Sequence, residues 1–390
     1  MKRFYCLPGV FLALLLCLLM QVSPVLAAPA STTKAQTCKS WQDTYDPQAN
    51  GPLDSMLWSI ARVNNHDMWS VGFAHNQTAG TEQIYALHWN GTRWTPKTPA
   101  QPSMNPSSLN GVTAIASNDV WAVGSYMDAT EQRNDLTLAE HWNGKTWTRI
   151  ATPSPQGGFT NISDDLKAVT AFSSSDVWAV GSKEGPVGVL LEHWNGKQWS
   201  VLSLPYQYED QLTAISGTSS KDIWVVGQRM NGHMFVPLVE HWNGKSWTVV
   251  PNQAQTFGGE LYSVKAIAAN DVWAVGNYDA PNSSSSQALI EHWNGSKWSM
   301  VASPQGGASS MAYLLNAVTA TATNDVWAAG SVVDTSPLLE HWNGKKWSIA
   351  VGPTQQTNYN AINAITAVPG MVWGAGTDFG EEPMAGYYCS

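Results

Sequence analysis

Apolar and polar positions alternate along most of this chain, and the alternation returns in the same phrase again and again. Its second copy is the clearest. Asn110-Gly-Val-Thr-Ala-Ile115, Asp119-Val-Trp-Ala-Val-Gly124, Leu136-Thr-Leu-Ala-Glu-His-Trp142 and Lys145-Thr-Trp-Thr-Arg-Ile150 are four short runs rich in β-branched and aromatic residues. Each is bounded by Gly, Asn or Ser, which predicts four strands per copy. The tryptophan of the second run recurs at Trp69, Trp121, Trp178, Trp224, Trp273, Trp327 and Trp373. The period is about fifty residues, the mark of a repeat architecture.

A second word follows at a variable distance. Trp89, Trp142, Trp194, Trp242, Trp293 and Trp342 each precede an Asn-Gly pair. Asn-Gly between two strand signals predicts a two-residue hairpin turn with positive φ at both residues. In that register Glu340 stands opposite Trp347 and Trp342 opposite Lys345. The glutamate and the two tryptophans then share one face, and His341 takes the other.

Four-stranded repeats of this length fit the blades of a propeller. The ends of the chain argue for closure into a ring. The last copy stops at Tyr387-Tyr-Cys-Ser390 without a fourth strand, and Cys38-Lys-Ser-Trp41 reads as the missing one. The expectation is an all-β fold: a seven-bladed β-propeller of four-stranded antiparallel blades, closed by the N-terminal strand in the last blade. Of the 21 tryptophans, all but Trp58 fall in phase with the repeat.

The segment before the repeats has a different character. Lys2 and Arg3 precede an apolar run from Phe11 to Met20 and a small-residue site at Val25-Leu26-Ala27. Residues 1–27 therefore read as a signal peptide, 28–37 as a short linker and 38–390 as one propeller domain. The expected location is secreted, with no membrane insertion after cleavage. An uncleaved leader that tethers the chain to a membrane is the alternative. The formal net charge of −9 becomes more negative once the leader goes. That argues against nucleic acid, which needs a basic face. The expected state is a monomer.

At this point the chain resembles known families. The Asp-Val-Trp and His-Trp-Asn-Gly-x-x-Trp pattern looks like bacterial secreted repeat propellers, most without an assigned function. More distantly it is similar to tectonin-like and Photorhabdus-type propeller lectins and to the kelch and galactose-oxidase-like group. The resemblance covers residues 38–390. It implies the architecture and leaves the ligand open.

Glu140-His141, Glu192-His193, Glu240-His241, Glu291-His292 and Glu340-His341 invite an enzyme or metal reading. Yet they occur in almost every copy, whereas a chemical site is a single asymmetric constellation. They read as scaffold, with Asp119, Asp176, Asp222, Asp271 and Asp325 as local partners, much as WD-repeat propellers use an Asp-His network. No catalytic residue, metal ligand or cofactor is assigned. Galactose-oxidase-like chemistry needs a cysteine cross-linked to a tyrosine, and sialidase-like chemistry an arginine triad at the axis. Arg62 is the only arginine on an innermost strand. With Lys265 it either anchors an anion or lines a wet channel; the channel is the reading taken.

In a propeller the connections alternate between two faces. The short ones, including the Asn-Gly turns with Lys145, Lys197, Lys245, Lys345 and Lys346, fall on one face. The long, variable ones fall on the other, where binding is expected. That face offers Tyr126, Asp128, Tyr206, Tyr208, Asp210, Tyr278, Asp279, Tyr313, Tyr359, Asp378 and Phe379. Aromatic rings beside Asp and Asn suit sugars, so the expected function is non-enzymatic binding of carbohydrate. The alternatives are a surface-protein interaction scaffold and an enzyme at the axis. Copy-specific polar groups at the channel mouth would favour the enzyme. The exported context also predicts a Cys38–Cys389 disulfide, with Cys389 standing where other copies have the Trp before Asn-Gly.

Overall fold

The structure is a computed structural model. It describes residues 40–389 except 47–53, 77–79, 103–105, 128–134, 155–162, 184–187, 206, 208, 282–284, 305–310, 333–335, 351–358 and 379–382. The chain divides into residues 1–37 and 38–390. The leader, the linker and Cys38 lie outside the described residues.

Seven antiparallel sheets of four strands make up the second unit. Blade two is typical: strand a is Ser107–Ala116, b is Asp119–Met127, c is Asp135–Trp142 and d is Trp147–Arg149. Strands a to d follow chain order across each sheet. Blade seven takes Tyr359–Val368, Met371–Asp378 and Pro383–Cys389 from the C-terminus and Trp41–Asp43 from the N-terminus. The seven-bladed propeller and its closure by the N-terminal strand are both present. Strand b is buried along most of its length because both of its faces pack on neighbouring blades.

The cores lie between blades. Trp69, Val71 and Ile84 of blade one meet Leu109, Val112, Val120 and Trp142 of blade two. At each junction the strand-b tryptophan touches an aromatic of strand c in the next blade. Ring centroids are 4.9 Å apart for Trp69 and Trp142, 5.1 Å for Trp121 and Trp194, and 4.9 Å for Trp373 and Trp89. Burying such rings supplies large apolar area and fixes the angle between blades.

The repeated Asp, His and Trp belong to this scaffold. In six blades the histidine Nε2 lies 2.7–2.9 Å from the aspartate that opens strand b. The same imidazole lies against the strand-b tryptophan, with centroids 4.0–4.5 Å apart. The strand-c tryptophan donates its indole N–H to the a–b turn, as Trp142 does to Ser117 O at 3.1 Å. The short-connection face is thus spent on holding its own turns.

Two expectations about register need correction. Glu340 pairs with Ile349 and Trp342 with Trp347, two residues further along than the Asn-Gly turn implied. Only the glycine has positive φ, +87° at Gly344 and +91° at Gly144. The asparagine does not take positive φ, and its side chain caps the turn: Asn143 Oδ1 accepts from the N–H of Lys145 and of Thr146 at 3.0 Å. Glycine at the first central position is what a type II′ turn requires. A shift of two leaves the faces unchanged, so the glutamate and tryptophans still share one. The second correction concerns the closing strand. Trp41 pairs with Tyr388, so Tyr388, not Cys389, takes the strand-c tryptophan's place.

Candidate functional site at the axial mouth

Each innermost strand slips its register by one residue near its start. The slips fall between Leu57 and Ser59, Leu109 and Gly111, Leu166 and Ala168, Leu212 and Ala214, Leu261 and Ser263, Leu315 and Ala317, and Ile362 and Ala364. The displaced residues are Trp58, Asn110, Lys167, Thr213, Tyr262, Asn316 and Asn363. One from each blade, they line a single cavity of about 360 Å³ on the axis. A β-bulge re-aims a side chain that a regular ladder would bury against its neighbour. Opposite each bulge stands the glycine that ends the Asp-Val-Trp-Ala-Val-Gly phrase. A Cβ on Gly124 would overlap Ser108 O, and one on Gly276 would overlap Glu260 O. The glycine and the bulge are one device, and the ring is its product. Because the slips lie near the start of strand a, the mouth opens on the face of the long, variable loops.

Four ring residues form a belt. Asn110 Nδ2 donates to Leu166 O at 2.9 Å, and Thr213 Oγ1 to Leu261 O at 2.6 Å. Asn316 Nδ2 donates to Ile362 O at 3.3 Å, and Asn363 Nδ2 to Leu57 O at 3.1 Å. Each ties its bulge to the carbonyl just before the next one. Trp58, Lys167 and Tyr262 break the pattern. Trp58 is 38% exposed and leans on Phe73, centroids 6.2 Å apart. Lys167 is ion-paired with Asp165, whose other oxygen accepts from Ser182 Oγ at 3.0 Å. The Tyr262 hydroxyl donates to Glu260 and accepts from Asn277 Nδ2 at 3.1 Å. Burial, then the bond to Glu260, push the Tyr262 phenol's pKa up. The mouth therefore carries an indole face, an ammonium and a phenol, copy-specific groups of the kind that would favour an enzyme at the axis, but both acids near them are already engaged. Sequence reasoning missed this ring. The available signal was Trp58, the one tryptophan out of phase.

The residues expected to bind are scattered differently. Asp128, Tyr206, Tyr208 and Phe379 lie outside the described residues, as do the side chains of Tyr359 and Asp378. Asp210 is fully buried. Its carboxylate takes a two-pronged bond from Arg229, 2.9 Å to Nε and 2.6 Å to Nη2, and a third from Gln207 N at 2.7 Å. It is committed inside blade four and not offered to solvent. Tyr126 lies under the Arg149 guanidinium, 5.3 Å from ring centroid to Cζ, and lines a separate cavity of about 330 Å³ with Leu136, Thr137 and Thr152. Tyr278 packs on Phe257, centroids 5.9 Å apart, and the exposed Asp279 accepts from Ser286 at 3.2 Å. Tyr313 is buried in the core between blades five and six. Tyr126 and Tyr278 belong to blades two and five and share no site.

The Glu-His pairs divide as strand geometry requires, successive side chains pointing to opposite faces. The histidines meet their aspartates. The glutamates with a partner are buried against the connection that leads into their own blade. Glu340 accepts from Ser303 Oγ at 2.7 Å and Glu291 from Ala254 N at 3.0 Å. Among the described residues neither oxygen of Glu192 or of Glu240 has a hydrogen-bond partner. Burial pushes Glu192 and Glu240 up to about 8, and Glu140, Glu291 and Glu340 up to about 7. Among the described residues no group of three or more His, Cys, Asp or Glu side chains could hold a metal ion.

Comparison with known proteins finds likeness of fold. No family model and no curated protein matches the chain. Among solved structures, YCF48 bound to D1 peptide is 14% identical, covers 90% of this chain and 97% of that one, and superposes with a TM-score of 0.56. The WD40 β-propeller domain of Doa1 is 8% identical over 89% of this chain and 96% of that one, with a TM-score of 0.56. Chaetomium thermophilum Sqt1 bound to the N-terminus of ribosomal protein L10 is 10% identical over 90% of each, with a TM-score of 0.51.

Proposed function

We propose that this chain is an exported, non-catalytic binding propeller that seats a segment of a partner protein on its axial mouth. The observation that carries the reading is the ring itself: a polar belt of Asn and Thr interrupted by Trp58, Lys167 and Tyr262. An exposed indole is a strong anchor for an apolar or planar group. A concave cavity of this size, part apolar and part polar, is the usual form of a binding site. Two propellers of the same fold hold protein segments at the level their names record, a D1 peptide and the N-terminus of L10. Those likenesses support a protein partner over the sugar expected from the loops.

Carbohydrate is the second reading. It is favoured by the indole face of Trp58 set among the amides of Asn110, Asn316 and Asn363. The experiment that separates the two is a peptide array and a glycan array probed with the wild-type protein and with Trp58→Ala. The proposal expects peptide signals that vanish in the variant. Glycan signals that vanish in the variant make it a lectin. Signals that survive Trp58→Ala but are lost in Lys345→Ala with Lys346→Ala move the site to the opposite face.

Export rests on the leader at 1–27. Mass analysis of the protein from the culture medium, starting at Ala28, tests it. A chain retained at the membrane with residues 1–27 intact supports a tether instead. The Cys38–Cys389 disulfide belongs to the same proposal. Cys389 is buried beside Met371.

A further inference from the structure

The junction between blades one and two lacks a plug that other junctions have. In each blade the residue just after strand d donates its backbone N–H to a strand-c carbonyl, which defines one place per blade. Ile150, Leu202, Val250, Val301 and Ala350 hold it in blades two to six. Each packs into the cluster that contains the strand-c and strand-d aromatic rings of the next blade. Thr44 holds it in blade seven, and its hydroxyl accepts from the Trp94 indole at 3.0 Å. In blade one the place belongs to Lys97, whose N–H donates to Ala86 O at 2.9 Å. A lysine keeps its charged head in water. At this junction stands a cavity of about 300 Å³; Lys97, Pro99 and, from blade two, Trp142, Lys145, Thr146 and Trp147 line it.

Trp147 differs in the same sense. Of the six strand-d tryptophans that follow an Asn-Gly pair, it alone is not buried. Lys145 reaches the cavity from the c–d hairpin, whose backbone Asn143 Oδ1 holds in place. Both lysines are exposed. Among the described residues neither has an ion-pair partner, and no acid lines the cavity. Two ammonium groups beside an open indole select one kind of ligand. The cations take an anionic group through charge-assisted hydrogen bonds. The indole wall takes a planar or apolar body. An inorganic anion, or a ring without a charge, satisfies only half of the site.

We propose that this junction is a second binding site, separate from the axial mouth, for a small molecule that joins a planar apolar body to a carboxylate, sulfonate or phosphate. The test is isothermal titration of the whole protein at pH 7 and fixed ionic strength. The probes are naphthalene-2-carboxylate, naphthalene-2-sulfonate and 2-naphthyl phosphate, with neutral 2-naphthol and inorganic sulfate as half-ligands. Saturable binding of at least one naphthyl anion is expected, with both half-ligands at least about tenfold weaker. Lys97→Ile gives blade one the residue that blade two uses. It should fold with a Tm no lower than wild type and weaken the naphthyl anion at least about tenfold. Lys145→Ser takes the residue of blade five, Ser296, in an exposed turn. It should weaken the anion about threefold or more, and it decides the matter if Lys97→Ile fails to fold. Trp58→Ala should leave this binding unchanged. The proposal is overturned if no naphthyl anion binds the wild type, or if 2-naphthol binds as tightly as the anions. It is overturned as well if the folded lysine variants bind like wild type, or if Trp58→Ala abolishes the binding.

Discussion

Trp327 of blade six packs on Tyr388 of blade seven, ring centroids 5.8 Å apart and tilted by 60°. At every other junction that place is held by a tryptophan, so this contact is the one point where the repeat substitutes a smaller ring. It is also where the two ends of the chain meet, since Tyr388 pairs with Trp41. The closing junction therefore tests how far the girdle depends on a tryptophan at this place.

Tyr388→Ala should lower stability by about 2–3 kcal/mol, the cost of removing a half-buried ring and leaving a cavity beside Trp327. Tyr388→Trp restores the residue of the other junctions and should raise it by about 0.5–1 kcal/mol. Urea unfolding of both variants measures this. An unchanged midpoint for Tyr388→Ala would show that the ring does not depend on the contact.

His193→Ala should cost about 1–3 kcal/mol. Among the described residues it leaves the Asp176 side chain with the Trp178 indole at 2.7 Å, and it removes the imidazole that lies 4.3 Å from that ring. Ligand binding should persist, because the network faces the short turns. A metal ion that binds the wild type and is lost stoichiometrically in this variant would contradict the scaffold role.

The buried glutamates predict a pH dependence. Unfolded, they ionise near 4.5; folded, Glu192 and Glu240 ionise near 8 and Glu140, Glu291 and Glu340 near 7. The fold favours their protonated form. Their contribution is complete below about pH 4.5, declines as pH rises, and is lost by about pH 8. Each group removes about 1.4 kcal/mol per pH unit where the folded chain keeps a proton that the unfolded chain has released. Glu192→Gln with Glu240→Gln should flatten the decline and make the variant more stable than wild type at pH 8. Denaturant titrations at pH 5, 6.5 and 8 give the slopes; parallel slopes would refute the assignment.

Alkylation and mass spectrometry of the non-reduced mature protein should find no free thiol at Cys38 or Cys389. Since Tyr388 holds the tryptophan's place, Cys389 holds the place of the Asn that follows. By offset from Trp41, Cys38 corresponds to the Gly. The proposed bridge would then join the two positions that a peptide bond joins in the other blades. Cys38→Ser should cost about 2–5 kcal/mol. Two free thiols in the native protein would end the proposal.

The number of blades, the strands of each and the use of the N-terminus to complete the last were all legible in the order of residues. They depend on alternation, turn chemistry and period, which are local or repeat at fixed intervals. The scaffold role of the His-Asp network was legible for the same reason, since recurrence in nearly every copy is itself a sequence fact. The turn was misplaced by one residue because Asn can either adopt positive φ or cap with its side chain, and only the backbone decides. Asp210 sat among aromatic residues in the sequence, yet tertiary packing set it against Arg229 inside a blade. The axial ring was least accessible. Its members sit one to a blade, about fifty residues apart, and a bulge turns each inward against the strand's alternation. The phrase-ending glycines that permit those bulges are written in the chain, but their convergence on one axis exists only once seven blades have closed.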